Sequence, residues 1–178
     1  MRIQTINASH IAAAYAALQP FQVSVVAAMG AGLSIGVIGF TTSKLMHGGG
    51  PAVIASMGAA AVIVFQFPGS PAARPWAILG GHLVSALIGV TVSQVIPDRT
   101  LAAGIAVGLS LLAMSVLRCM HPPGGGTALV AVLGGAAIHE AGYRFLLFPT
   151  FINALLLAVF GSVFLRLTAK PLGDHLVR

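Results

Sequence analysis

Pro75-Trp76-Ala77-Ile78-Leu79-Gly80-Gly81-His82-Leu83-Val84-Ser85-Ala86-Leu87-Ile88-Gly89-Val90-Thr91-Val92-Ser93-Gln94-Val95-Ile96-Pro97 separates Arg74 from Asp98 without a charged side chain. A bilayer core about 30 Å thick is crossed by roughly 20 apolar helical residues, so this stretch has the length of one crossing. The pattern repeats in both directions. Arg2, Lys44, Arg118, Glu140 with Arg144, and Arg166 punctuate the rest, leaving 3–43, 45–73, 100–117, 119–139 and 145–165 charge-free. The first of these holds a short amphipathic stretch and then a crossing at 21–43. The sequence predicts an all-α polytopic membrane protein with six hydrophobic segments: 21–43, 45–73, 75–97, 100–117, 119–139 and 145–165.

Composition gives the same answer. Of 178 residues, 57% are hydrophobic and 7% charged, against about 25% charged in soluble domains. So few charges cannot cover a water-soluble surface, and no stretch has the composition of a separate soluble domain. The chain divides into an N-terminal interfacial segment (1–20), a transmembrane domain (21–168) and a short basic tail (169–178). The net charge of +6 is carried by single, scattered side chains, which argues against nucleic acid as a partner. Such residues orient membrane proteins. With six crossings, Arg2, Arg74, Arg118, Arg166, Lys170 and Arg178 share one side, and Lys44, Arg99 and Arg144 the other. That excess favours both termini in the cytoplasm.

Cys119 is the only cysteine, so there is no intrachain disulfide framework. Met1 to Pro20 lacks the compact apolar core and cleavage site of a signal peptide and the composition of a transit peptide. Ile6, His10, Ile11, Ala14, Tyr15 and Leu18 form one face of a short interfacial helix, or the segment is a frayed extension.

Small residues recur at helical spacing: Gly32 and Gly36, then Gly81, Ser85 and Gly89, then Gly104 and Gly108. Residues four apart share a helix face, where small ones admit a neighbouring backbone. These are packing faces, with substrate lining as the alternative. Segments 2 and 5 differ from the rest, since each sets a Gly/Pro-rich break before a short apolar run. The breaks are His47-Gly48-Gly49-Gly50-Pro51 and His121-Pro122-Pro123-Gly124-Gly125-Gly126-Thr127. Aligning Met57-Gly58-Ala59-Ala60-Ala61 with Pro123-Gly124-Gly125-Gly126-Thr127 suggests two three-segment repeats, which an odd number of crossings would invert.

The second break is the sharpest feature. Proline lacks an amide hydrogen and drives its predecessor out of the helical region, so two prolines followed by three glycines interrupt a helix. Interrupted backbone at membrane depth survives only inside protein or beside a wet cavity. A helix restarting near Gly125 to Thr127 would aim free amides and a partial positive charge at that cavity, a site for an anion. The alternative is a tight turn at the membrane surface, because Arg118 precedes His121 by three residues.

Leu117-Arg118-Cys119-Met120-His121-Pro122-Pro123-Gly124-Gly125-Gly126-Thr127-Ala128-Leu129 resembles the signature of the HPP family of integral membrane proteins. A second stretch is similar too: Ala55 to Val62, then Phe65, Pro68, Ser70 to Pro75, Gly80-Gly81-His82 and Ser85. The resemblance runs from about residue 20 to 168. Family members usually carry Ala where Gly125 stands, and often a small polar residue near Ala60. They are described with four spans, which matches six segments only if segments 2 and 5 are broken or re-entrant. Plastid and cyanobacterial members are regarded as nitrite transporters, so the resemblance implies transport of a small inorganic anion. Without a transit peptide, a bacterial inner membrane is the expected location.

An anion also suits the distribution of acids. Asp98, Glu140 and Asp174 lie near segment ends or in the tail, so no carboxylate sits mid-membrane to hold a cation or relay protons. His121 and His82 are the titrating groups available for proton coupling, or else packing residues. The expected substrate site comprises His121, Pro122, Pro123, Gly124, Gly125, Gly126, Thr127, Ser56, Gly58 and His82. In it amides near Gly58 and Gly124 to Thr127, with the Ser56 and Thr127 hydroxyls, contact the anion. Arg74 and Arg118 would draw anions to an entrance, though orientation and lipid headgroups also account for them. No metal, phosphate-loop or nucleophile motif is present, so neither an enzyme nor a cofactor is expected. So short a chain implies a homo-oligomer. A structural or assembly subunit of a membrane complex is the alternative function.

Overall fold

The computed structural model describes residues 21–45 and 54–168, and every regular element among them is helical. The interfacial segment, the basic tail and the first break, with His47, lie outside the described residues. The helices are α1 (Phe21–Leu45), α2 (Ser56–Gln66), α3 (Pro75–Val95), α4 (Arg99–Val116), α5 (Pro123–Leu133), α6 (Ala136–Ala141) and α7 (Ile152–Thr168), with a 3₁₀ turn at Pro71–Ala73 and a π turn at Leu146–Phe151.

Four helical stretches are long and apolar enough to cross a membrane: Val25–Leu45, Pro75–Val95, Arg99–Val116 and Leu146–Leu167. The segments marked by Gly/Pro breaks instead yield α2 and α5, each of 11 residues. At 1.5 Å per residue either helix covers about 16 Å, roughly half the hydrocarbon thickness.

Local chemistry sets the helix ends. Pro75 occupies the first turn of α3, where a missing amide hydrogen costs nothing. Asp98 caps α4 by accepting a hydrogen bond from the Leu101 amide at 2.7 Å. At the other end of α4 Arg118 adopts φ 52°, and the Cys119 amide donates to the Met114 carbonyl at 3.0 Å. This is a left-handed helix stop, and it turns the chain into His121-Pro122-Pro123. Arg99, at the start of α4, donates to the Val132 carbonyl at 2.7 Å. It also contacts His139, so an arginine caps the C-terminal end of α5.

Side-chain contacts fix the helix directions. Trp76 Nε1 donates to the Leu117 carbonyl at 3.2 Å, bringing the start of α3 to the end of α4. Thr42 donates to Asn153 Oδ1 at 2.8 Å, bringing the end of α1 to the start of α7. Nearer the start of α1, Gly30 lies under Phe65 of α2 and Phe164 of α7, whose rings meet edge to face at 4.9 Å. Thus α1 runs antiparallel to both α2 and α7, and α4 runs antiparallel to α3 and α5.

The expected small-residue faces separate into two kinds. On α3, a Cβ at Gly81 would stand 2.6 Å from His121 Cβ, and one at Gly89 would stand 2.7 Å from Ala131 Cβ and 2.8 Å from the Ala128 carbonyl. Gly124 of α5 answers from the other side, where an added Cβ would stand 2.7 Å from the Gly81 carbonyl oxygen and 2.9 Å from Ser85 Oγ. Helix α3 and the linker–α5 unit therefore meet backbone to backbone, as small residues permit. A Cβ added at Gly32, Gly36, Gly104 or Gly108 would meet nothing within 4 Å among the described residues. Gly32 and Gly36 instead floor a shallow apolar groove with Met29, Leu33, Val37 and Phe40.

Candidate functional site

The two short helices begin against each other. A Cβ on Gly126 of α5 would lie 3.2 Å from Ser56 Cβ, at the first residue of α2. Ser56 Oγ is 2.7 Å from Thr127 Oγ1, and the same threonine oxygen is 2.6 Å from His82 Nδ1. The His82 ring meets the His121 ring edge to face, with centroids 4.9 Å apart. His121 Nδ1 lies 2.7 Å from the Ala72 carbonyl oxygen. Ser56, His82, His121 and Thr127 are all buried. One polar chain thus runs from α2 through α5 and α3 to the 118–122 linker and the 3₁₀ turn.

The chain has two open ends. His82 Nε2 and His121 Nε2 are buried without a hydrogen-bond partner among the described residues, and leaving such a group unpaired costs about 1–3 kcal/mol. A carbonyl oxygen only accepts, so His121 Nδ1 carries the hydrogen that Ala72 receives. Neutral His121 therefore has a bare lone pair on Nε2. Thr127 has one hydroxyl hydrogen and two neighbours. If Ser56 donates to Thr127 and Thr127 donates to His82 Nδ1, His82 carries its hydrogen on Nε2. If the chain of donors reverses, His82 Nε2 is bare.

The backbone differs from expectation. The Gly124 amide donates to the His121 carbonyl at 2.8 Å, and the Gly125 amide to the Pro122 carbonyl at 3.0 Å. The Met57 and Gly58 amides likewise donate to the Ile54 and Ala55 carbonyls. Pro122 and Pro123 have no amide hydrogen to offer. The Met57, Gly58, Gly124 and Gly125 amides are consequently engaged in tight turns. Gly58 is exposed, and a Cβ added there would meet no described atom within 4 Å, so its outer face turns away from the cluster. Pro123 and Gly124 are buried, Gly125 and Gly126 are half-buried, and Pro122 is exposed. Arg74 and Arg118 are exposed, at the end of the molecule where Trp76 meets Leu117.

Several polar positions were not singled out in the sequence. Ala72 contributes only a carbonyl, which no side-chain pattern reveals. Asn153, Thr42, Ser110 and Thr150 are fully or almost fully buried. The one signal for Asn153 is a lone amide inside the charge-free interval 145–165. No three of His, Cys, Asp and Glu converge among the described residues, so His82 and His121 stand as a pair.

The sequence pattern of the family described as "HPP, transmembrane region" matches residues 16–172, which takes in every element of the cluster. The chain belongs to the HPP family. Two curated transmembrane proteins of Dictyostelium discoideum are similar to this HPP chain. One is 35% identical over 127 residues, 67% of this chain and 44% of the relative. The other is 35% identical over 85 residues, 46% of this chain and 27% of the relative. The chain thus spans less than half the length of the curated relatives it matches. No solved structure matches it.

Proposed function

We propose that this HPP protein is a transporter or channel for a small inorganic anion, with nitrite the first candidate. The observation that carries the reading is the buried polar chain Ser56–Thr127–His82, with His121 against it, where two half-length helices begin. Polar side chains buried at membrane depth are costly and tend to serve function. Here two of them end on unpartnered Nε2 atoms. In this reading Ser56, Thr127, His82 and His121 contact the anion. Pro122, Pro123 and the glycines 124–126 keep α5 short and let α3 approach. Arg74 and Arg118 attract anions to one entrance. No bond is made or broken, so the reading is non-enzymatic.

The reading takes the chain through the membrane six times, with α2 and α5 as half-length helices in two broken crossings. Support comes from the directions set by Thr42 on Asn153, Gly30 under Phe164, and Trp76 on Leu117. Both termini then lie on one side, and Arg74, Arg118 and Arg166 with them. By the positive-inside rule that side is the cytoplasm, in a bacterial inner membrane. The starts of α2 and α5 are compatible with two inverted repeats. The open glycine faces of α1 and α4 support a homo-oligomer, because close helix approach is their use in membranes.

Flux in liposomes tests the function. Purified protein should take up nitrite saturably, and Thr127→Ser, which keeps the hydroxyl, should retain uptake. Thr127→Val should abolish it, since both Ser56 and His82 lose their partner. Folded protein that moves none of nitrite, nitrate, formate and bicarbonate would sink the reading. The chain would then stand as a structural subunit whose partners co-purify in fixed ratio.

A further inference from the structure

The buried polar residues among those described are serines, threonines, one asparagine and the two histidines, with no lysine or arginine. An anion entering this centre leaves water and meets no fixed positive charge. An uncompensated buried charge is strongly unfavourable in a low-dielectric interior. The Gly124, Gly125, Met57 and Gly58 amides do not replace the missing cation, because each is already bonded to a carbonyl.

Counting hydrogens sharpens the point. Nitrite and comparable inorganic anions offer only acceptors, so two imidazole nitrogens bind one well when both are donors. His121 Nδ1 is committed to the Ala72 carbonyl and His82 Nδ1 to Thr127. With both rings neutral, the Nε2 atoms present at most one hydrogen, on His82. One added proton on His121 Nε2 makes both donors and supplies the positive charge.

We infer that the His82–His121 pair binds each anion together with one proton, so that the protein is a proton–anion symporter. The inference rests on the anion-transport reading above. Its balance is simple: one proton enters His121 Nε2 from the aqueous side, one anion pairs with the imidazolium, both leave on the other side, and the rings return to neutral.

Among the described residues no charged side chain faces the pair at close range. From α2 the neighbour is Ser56, from α5 Thr127, and beside His82 on α3 stands Ser85 against Met114 of α4. Cys119, a buried thiol in the linker, packs on Gly80. Arg74 after the 3₁₀ turn, Arg118 in the linker and Arg166 on α7 are exposed. Arg99 of α4 caps the far end of α5, and the π turn has no charged residue.

The experiment uses the full chain in liposomes, with nitrite uptake read above that of empty vesicles. Symport with one proton makes uptake follow an inward proton gradient and ignore an imposed potassium diffusion potential. One pH unit then supports about tenfold accumulation, as ~60 mV would for one uncompensated charge. The reverse result, uptake driven by potential and indifferent to pH gradient, overturns the inference and leaves anion transport standing. No flux of any anion overturns both. In His121→Asn the amide nitrogen takes the place of Nδ1 and keeps a donor for Ala72, while Nε2 is lost. That variant should lose the gradient-driven tenfold accumulation. Retention of it would remove His121 from the proton path. The gradient-against-potential comparison on the unmodified protein decides the matter even if the variant does not fold.

Discussion

Gly81→Ala tests whether the closeness of α3 to the 118–122 linker holds the centre together. The added Cβ would lie 2.6 Å from His121 Cβ, 3.2 Å from the Cys119 carbonyl oxygen and 3.4 Å from Met114 Sδ. Carbon atoms in ordinary contact stand about 3.5–4.0 Å apart, so the linker must retreat by about 1 Å. Neither of the two nearest atoms is the end of a flexible side chain. Overpacking of this kind costs about 1–3 kcal/mol, and the retreat also stretches the 2.7 Å bond from His121 to Ala72. Taking about 2 kcal/mol, the population of molecules with the linker opened rises about 30-fold. Cys119 is the only thiol and is buried against Gly80, which makes it the reporter. Its maleimide labelling in mild detergent should quicken about 30-fold in Gly81→Ala, with a lower melting temperature. Gly104→Ala is the control: with nothing within 4 Å, it should leave Cys119 labelling unchanged and gain the helix propensity of alanine, up to about 1 kcal/mol. Equal labelling and melting of Gly81→Ala and the unmodified protein would refute the close packing of α3 on the linker.

Arg99→Gln removes the charged donor to the Val132 carbonyl. It should lower the melting temperature by an amount equivalent to about 1 kcal/mol, and an unchanged melting curve would show that the cap contributes nothing. Thr42→Val deletes the hydroxyl that donates to buried Asn153. Interhelical hydrogen bonds in membranes contribute about 0.6 kcal/mol on average, so denaturant unfolding in detergent should report a loss of that order between α1 and α7, whereas Ser43→Ala, at an exposed position, should report none.

Much of the site could be read from residue order alone, though not the way its groups are paired. His121-Pro122-Pro123 announces a broken helix because prolines lack amide hydrogens, and α5 does begin at Pro123. Gly81, Ser85 and Gly89 announce a packing face because their spacing is helical, and α5 packs there. The same pattern in Gly32, Gly36, Gly104 and Gly108 predicts a face without saying what fills it, and no described residue does so here. Of the amides expected to be free at 124–127, those of Gly124 and Gly125 are bonded, for a local reason. A helix starting on two prolines closes its first turn through His121 and Pro122 carbonyls, which engages those amides. Gly58 stands near Ser56 in sequence, yet the two-residue step between them makes a little over half a helical turn and leaves Gly58 exposed while Ser56 is buried.

By itself the sequence determined the solvent, the fold class and the family. The first two follow from which residues are apolar and where charges interrupt them, and the family from the motif around His121-Pro122-Pro123 with its second stretch at 55–85; none of these needs a third dimension. Only the tertiary structure decided which polar atoms share a hydrogen. Ser56, then Ala72 and His82, then His121 and Thr127 come from three stretches of the chain, and the 71-residue offset from Ser56 to Thr127 carries no mark of their meeting. That meeting depends on glycines 81 and 124 letting two backbones touch, a geometry set by packing and absent from any local pattern.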